Sequence, residues 1–432
     1  MFLIRLFPIV LFILFIHSAS AQLIHQVINV SEVERIQRTL SSDEMEGRKP
    51  FTPGIDRASD FIAAEFRKAG LQTEKENSFF QQFEIQRTRF ISASGKLNKE
   101  LFESRNIVVR SSQSQLSVNE RSGYDIVSVK AKDTLPLVLQ KLLTSRKNYL
   151  VTVDTNHRQQ FNRLKRSIRE SFVQSGNLIF ILTNDIPSTY SFEVTQENST
   201  LSLKNVVGIL PGKSKKEEYV IFSAHYDHLG IAKPNKDNDS IYNGANDDAS
   251  GVTAVIMLAN YFNRLQQNER TLVFAAFTAE ESGGYGSRYF SSRFAPEKVM
   301  AMFNIEMIGT ESKWGNNAAF ITGYEKSTMG AILEKNLQGT AFRFYPDPYP
   351  TQQLFYRSDN ATLARLGVPA HTISTSKMDT EKPEPFYHTV DDEFETLDMK
   401  NMTAIIKSIA LSSVSIVAGK DSPSRVDASQ LR

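Results

Sequence analysis

An α/β fold is predicted for this 432-residue chain: a mostly parallel central sheet flanked by helices, with a smaller accessory domain inserted. Three observations predict it. From Asn205 onward, short runs of β-branched and aromatic residues alternate with segments of helical period, as strand–helix–strand crossovers require. Between Thr88 and Ser202 that rhythm gives way to polar and basic residues. Acidic and histidine residues stand directly after the runs that read as strands, where parallel sheets carry their sites.

The first segment is not part of that fold. Arg5 precedes an apolar run from Leu6 to Ile16, and Ala19 and Ala21 match the small-residue cleavage rule of a secretory signal. Residues 1–21 are therefore expected to be a signal peptide. The run is too short to span a bilayer comfortably, and no later stretch is apolar enough to do so. The mature chain is expected to be exported, periplasmic or secreted, with no stable membrane insertion after cleavage. A formal charge of +2 gives no electrostatic reason to bind nucleic acid. The chain has no cysteine, so disulfides, thiol nucleophiles and Cys-bound metals are excluded. Any metal must be held by His, Asp and Glu.

Residues 22–87 read as the N-terminal part of the main domain. Ser31 and Glu34 are spaced as a capping box before Val33, Ile36 and Leu40. Asp56 to Ala69 place Ala58, Phe61, Ile62 and Phe66 on one helical face, which Gly70 can end. Residues 88–203 read as the insert, an accessory or lid domain. Its strand candidates are Asn106–Arg110, Tyr149–Val153 and Asn177–Leu182, with a helix near Gln159–Val173. Residues 204–432 complete the main domain. Strands are expected at Asn205–Leu210, Tyr219–Ala224, Thr271–Thr278, Val299–Ile305, Ala318–Thr322 and Val368–Ser374. Helices are expected at Ala249–Leu265, Ser327–Leu337, Asn360–Leu366 and Met399–Val417, the last capped by Asp398.

The chemistry collects at the ends of these strands. Tyr219–Ala224 runs into His225-Tyr226-Asp227-His228, Thr271–Thr278 into Ala279-Glu280-Glu281, and Val299–Ile305 into Glu306. Between the first two lies the loop Asn243 to Gly251, with Asp247 and Asp248, and further on comes Tyr387-His388-Thr389. Taken singly, an exposed His, a Glu pair or a capping Asp is ordinary. Five such features at successive strand ends are not, because burying that many carboxylates without a cation is too costly. Two His and three carboxylates suit zinc. Two close metals can lower the pKa of a shared water and polarise a carbonyl oxygen. One carboxylate is then expected to bridge them, and an adjacent unligated Glu to accept the proton of the attacking water. The reaction class is metal-assisted hydrolysis.

These stretches closely resemble the zinc aminopeptidases of peptidase family M28, relatives of glutamate carboxypeptidase II and the glutaminyl cyclases. The matching residues are Ser223–Gly230, Gly244–Gly251, Phe277–Glu281, Asn304–Gly309, Arg357-Ser358-Asp359 and Tyr387-His388-Thr389, together with the opening Leu40–Arg48. The resemblance implies a zinc-exopeptidase fold with two zinc ions. Asp247 would bridge them, His225 and Glu306 would hold one, and Glu281 and His388 the other. Glu280 would be the general base, Asp227 would orient His225, and Tyr356 would polarise the substrate carbonyl. The family usually has Asp where Glu306 stands, and the extra methylene bears on how that site fills. His228 and His371 match no family ligand; the first is expected to line the pocket and the second to sit in the core. Several relatives carry a protease-associated domain where the insert lies, and a degenerate version of it is expected here.

The implied function is an exported aminopeptidase that removes N-terminal residues from peptides. Three alternatives differ in what they need. A glutaminyl-cyclase-like acyltransferase requires one zinc, a carboxypeptidase-like exopeptidase shares the metal core, and a non-catalytic binding protein of this fold would lack the ligands kept here.

Overall fold

The computed structural model describes residues 22–431, apart from 75–76, 168–169, 174 and 380–383. The signal segment read over 1–21 lies outside the described residues. Among those residues no helix is long and apolar enough to cross a membrane. The chain divides into two compact units, one from the described residues within Met1–Gln82 and Leu203–Arg432, the other Phe83–Ser202.

The larger unit opens with helices α1 (Val30–Leu40) and α2 (Pro53–Lys68). The cap of α1 is Asn29, whose side chain accepts the Glu32 amide at 3.1 Å, so the chain enters the helix before the Ser31 expected to cap it. Its sheet is built from β1 (Tyr190–Leu210, through its last residues), β2 (Lys215–His225), β3 (Arg270–Phe277), β4 (Val299–Ile305), β5 (Ala318–Ile321), β6 (Arg343–Pro346) and β7 (Ala370–Ser374). The strand order is β6–β5–β7–β4–β2–β3–β1. The pairs β2–β3, β2–β4, β4–β7 and β5–β6 are parallel, whereas β3–β1 and β5–β7 are antiparallel. The sheet is thus mostly parallel. Strand β6 falls in a segment that reads as a loop, since its four residues, Arg343 to Pro346, carry no alternation long enough to register.

Helices α3 (Ser250–Leu265), α4 (Tyr285–Ser291), α5 (Met329–Asn336), α6 (Asn360–Ala364) and α7 (Met399–Val417) complete this unit. Helix α7 is capped by Asp398, which accepts the amides of Lys400 and Asn401. One core lies between the sheet and α1, α2, α3 and α7, and a second lies on the opposite sheet face. Phe222 on β2 pairs in register with Phe274 on β3 and Phe303 on β4, and their rings stack at 5.6 and 4.9 Å. Slipping any of these strands by one residue would turn its ring to the other face. The stack therefore holds the carboxyl ends of β2, β3 and β4 level, and these are the strands that deliver His225, Glu280 and Glu306.

The smaller unit has its own four-stranded sheet, in the order Ile107–Arg110, Leu178–Leu182, Tyr149–Val153, Asp125–Val129. Helices Leu135–Ser145 and Arg158–Ser167 pack on one face through Leu135, Leu142, Phe161 and Leu164. The other face meets residues of Phe80–Leu97 and Tyr190–Leu210, among them Ala93, Leu97, Phe192 and Val194. These two long strands carry the chain into and out of the unit. They begin before and end after it, so its limits fall inside continuous strands rather than in linkers.

Candidate metal centre

The site is assembled at the level carboxyl ends of β2, β3 and β4. His225 is the last residue of β2 and is fully buried. Its Nδ1 faces the Asp227 carbonyl oxygen at 3.2 Å and its Nε2 faces Asp247 Oδ1 at 3.2 Å. The Asp227 carboxylate turns to β3 instead, where its two oxygens accept the amides of Glu280 at 3.0 Å and Glu281 at 3.3 Å. Asp227 thus fixes the imidazole with its main chain and the Glu pair with its side chain. Burial pushes its carboxyl up to about 7, against the pull of His225.

Asp247 lies between two imidazoles. Its Oδ1 faces His225, and its Oδ2 is 3.2 Å from His388 Nε2. The same His388 nitrogen is 3.1 Å from Glu281 Oε1, which is also 3.0 Å from His228 Nδ1. Hydrogen bonds to Asp247 and Glu281 raise His388 to about 10. Burial alone would raise Asp247, but its bonds to His225 and His388 hold it well below the carboxylate range. His228, Asp247 and Glu281 offer ligand atoms within 4.8 Å of one another. His228 therefore belongs with the expected ligands Asp247 and Glu281, and its Nε2 is buried without a partner.

The loop carrying Asp247 is held from both sides. Asp392 accepts the amides of Asn246 at 2.8 Å and Asp247 at 3.0 Å. Asp248 accepts the amides of His225, Gly251 and Met307. Gly251 is required there: a Cβ would lie 2.5 Å from Asp248 Oδ1 and 2.2 Å from the Ile305 oxygen. Arg48, also fully buried, donates to the carbonyls of Tyr226, Leu40, Asn243 and Gly244 at 2.6–2.9 Å. One guanidinium so ties the N-terminal segment to both loops that carry the site. Its charge also faces Asp392, Asp227, Asp247 and Asp248. Arg48→Met would leave those carbonyls unpaired in the interior. The expected result is a loss of about 3–5 kcal/mol in urea unfolding; a change under about 1 kcal/mol would show that the loops stand without the clip.

Three positions beside the chemistry have left-handed backbone without being glycine: Ala279 at φ 56°, Met307 at φ 52° and His388 at φ 56°. Each adjoins or is an expected site residue, and such backbone costs about 1–3 kcal/mol. The turn at Met307 follows directly on Glu306. Burial and the charge of Asp247 raise the Glu306 carboxyl to about 7, against His225, and its Oε2 is buried without a hydrogen-bond partner. Burial, reinforced by Asp359, Glu306 and Asp227, likewise pushes Glu280 well above the carboxylate range. Neither oxygen of the buried Asp359 completes a hydrogen bond; the nearby Ser287 hydroxyl donates to Gly284.

Tyr356 is not brought to this cluster: it packs edge-on to Phe355 at 5.3 Å, with Arg365 over its ring. The phenol that adjoins the site is Tyr387, whose ring stacks on His388 at 4.0 Å and faces the charges of Asp247, Glu281 and Glu306. His371 is buried in the core, with Nδ1 2.8 Å from the Thr322 oxygen and Nε2 2.7 Å from Ser327 Oγ, and burial lowers it to about 4. Arg48, Asp359, Tyr387 and Asp392 are the residues whose roles the sequence leaves unassigned, and His228, expected only to line the pocket, stands among the ligand candidates. All but Asp392 lie inside or beside the matching stretches, and Asp392 follows His388 by four positions.

These residues fit a divalent cation. Imidazole nitrogens and carboxylate oxygens converge to 3.1–3.2 Å, and Glu306 Oε2 and His228 Nε2 are buried and unpartnered. Such a set is stable when a metal takes up the charge.

Known proteins resemble this chain in sequence and in fold. Aminopeptidase YwaD of Bacillus subtilis is 24% identical over 241 residues, 53% of this chain and 50% of that protein. The chain thus spans about half the length of that curated relative. Among solved structures, an aminopeptidase from Aneurinibacillus sp. strain AM-1 superposes with a TM-score of 0.54 at 18% identity, covering 91% of this chain and 96% of that one. A zinc aminopeptidase from Bacillus subtilis, BSAP, gives 0.56 at 15% identity, covering 90% and 95%. At such identities the superpositions establish a shared fold. The model of peptidase family M28 matches residues 205–412, the segment that carries His225, Asp247, Glu280, Glu281, Glu306 and His388. By that match residues 205–412 are a peptidase family M28 segment, and the chain shares its fold with these enzymes.

Proposed function

We propose that the protein is an exported aminopeptidase that works with two zinc ions and removes N-terminal residues from peptides. The observation that carries this reading is the position of Asp247, whose two carboxylate oxygens face different imidazoles, His225 and His388, each at 3.2 Å. A bridging carboxylate is the feature a two-metal centre needs and a single-metal centre does not. In this reading His225 and Glu306 would hold one ion and Glu281 and His388 the other, with His228 beside Glu281. Zinc in these positions would supply Lewis-acid polarisation of the scissile carbonyl and a lowered pKa for water.

The chain's own residues do the remainder. Glu280, held by the Asp227 carboxylate through its amide, takes the proton of the attacking water and returns it to the leaving amine. The Tyr387 hydroxyl, on the wall beside His388, is offered to the developing charge on the carbonyl oxygen. The buried, unpartnered Asp359 carboxylate gives a substrate ammonium a counter-charge, which favours binding at the amino end of a peptide. Export rests on the apolar run and Ala19-Ser20-Ala21 at the N-terminus.

Elemental analysis together with hydrolysis of leucine p-nitroanilide tests the proposal. About two zinc per chain are expected, with turnover lost to a chelator and restored by zinc. One zinc per chain, with cyclisation of an N-terminal glutamine in place of hydrolysis, would favour the acyltransferase. No bound zinc after zinc is supplied would end the enzyme reading.

A further inference from the structure

A cleft of about 50 Å³ opens beside the candidate centre, with Glu306 on one wall and Tyr387 on another. By the volume one water needs, about 10–15 Å³, it admits a group of only a few heavy atoms. Apolar walls come from Phe320, Leu354 and Met378, and the rest is lined by hydroxyls and one cation, Arg357. Arg357 is exposed, and its sole hydrogen bond from the side chain is a long one to Gln352 Oε1, at 3.4 Å. Among the described residues no carboxylate pairs with it. Neighbouring cations differ: Lys377 is bound to Glu311 at 2.8 Å.

The hydroxyls are mostly spent. Ser358 accepts the Asn304 amide at 2.7 Å and turns its own proton to Glu306. Ser376 is buried beside Glu384, and its hydroxyl completes no hydrogen bond. Ser374 and Thr372 are already engaged, donating to Met307 O and Asn360 Oδ1. The unused capacity of the cleft is therefore donor capacity, from the Arg357 guanidinium and the Ser376 hydroxyl. Glu306, its one acid, is assigned to the metal. Donors of this kind, with a cation, match a carboxylate.

We infer that Arg357 selects substrates bearing a carboxylate close to the scissile bond, held between its guanidinium and the hydroxyl-lined cleft. The inference deepens the aminopeptidase reading and rests on it. The carboxylate has two sources, an acidic side chain on the N-terminal residue or the terminal carboxylate of a dipeptide. Two substrate pairs separate them on the zinc-loaded enzyme: glutamate against glutamine α-p-nitroanilide, and alanyl-alanine against its C-terminal amide.

The wild-type chain is expected to favour the carboxylate member of one pair by about 10- to 100-fold in kcat/KM. Which pair shows the preference identifies the source. In Arg357→Gln that ratio is expected to fall to within about threefold of unity, chiefly through KM. Because the readout is a ratio within one preparation, partial misfolding of the variant does not move it. No preference in either pair, or a preference that survives in the variant, overturns the inference while leaving the aminopeptidase intact. Turnover of none of the four by the wild type overturns the aminopeptidase reading itself.

Discussion

Glu280→Gln is expected to lower kcat by about 10²–10⁴-fold while zinc content and unfolding midpoint stay at wild-type values. The amide has the shape of the carboxylate but cannot take a proton, so the substitution isolates the base. Its placement is dictated by groups that the change leaves alone. Asp227 accepts the amides of both Glu280 and Glu281, and Ala279 turns the chain at φ 56° immediately before them. Adjacent residues are thereby sent in different directions, Glu281 to His228 and His388, Glu280 among Asp227, Glu306 and Asp359. Burial and those like charges lift Glu280 away from the range of an exposed acid, which is what a base working near neutral pH requires. Activity within a few-fold of wild type would show that another group takes the proton. Loss of zinc along with activity would show that Glu280 is itself a ligand.

Much of this arrangement is legible in the sequence, for identifiable reasons. A strand of a parallel sheet is buried on both faces and reads as an apolar run, and the residue that ends the run is the one delivered to the site. His225 and Glu306 are found in this way, each at the end of a strand whose limits the hydrophobic pattern marks to within a few residues. Glu280 and Glu281 follow β3 after a short turn, and the same signal finds them. Distance along the chain hides the rest. Arg48 meets Tyr226, Asn243 and Gly244 only in the folded chain, and nothing local distinguishes it from a surface arginine. Asp392 acts on amides almost 150 residues away.

The tyrosine illustrates the same limit. Tyr356 and Tyr387 both lie near matching residues, but only the fold shows that Tyr356 turns to Phe355 while Tyr387 stacks on His388. Of the two long strands that enter and leave the smaller unit, Phe80–Leu97 and the part of Tyr190–Leu210 before Asn205 escape notice, because about every second residue or more there is exposed. Their polar residues carry the signal of a loop. What the pattern does show there are the buried strands of the four-stranded sheet.

Asp247→Asn is expected to remove both zinc ions, whereas a ligand serving one ion costs one. The distinction follows from which atoms each side chain offers. Asp247 Oδ1 faces His225 and Oδ2 faces His388, so the two halves of the site share this carboxylate. His388 Nε2 faces Asp247 and Glu281, and Glu306 stands on the other half, in the field of His225 and Asp247. Asparagine keeps the volume, and the main-chain bond from residue 247 to Asp392 is untouched, so the loop is expected to hold its place. What disappears is the negative charge and one of the two acceptor oxygens. Even the loss of a group that merely orients a ligand weakens metal binding by about 10–100-fold, and losing a shared ligand costs at least that at each position. Metal analysis after dialysis against a weak chelator should then read close to zero for Asp247→Asn. It should read close to one for both His388→Ala and Glu306→Ala. Full zinc in Asp247→Asn would remove Asp247 from the bridging position. One zinc there would mean that the two halves bind independently, and a wild-type chain that holds a single ion, unaffected by Glu306→Ala, would show that the longer side chain at this position does not complete its half of the site.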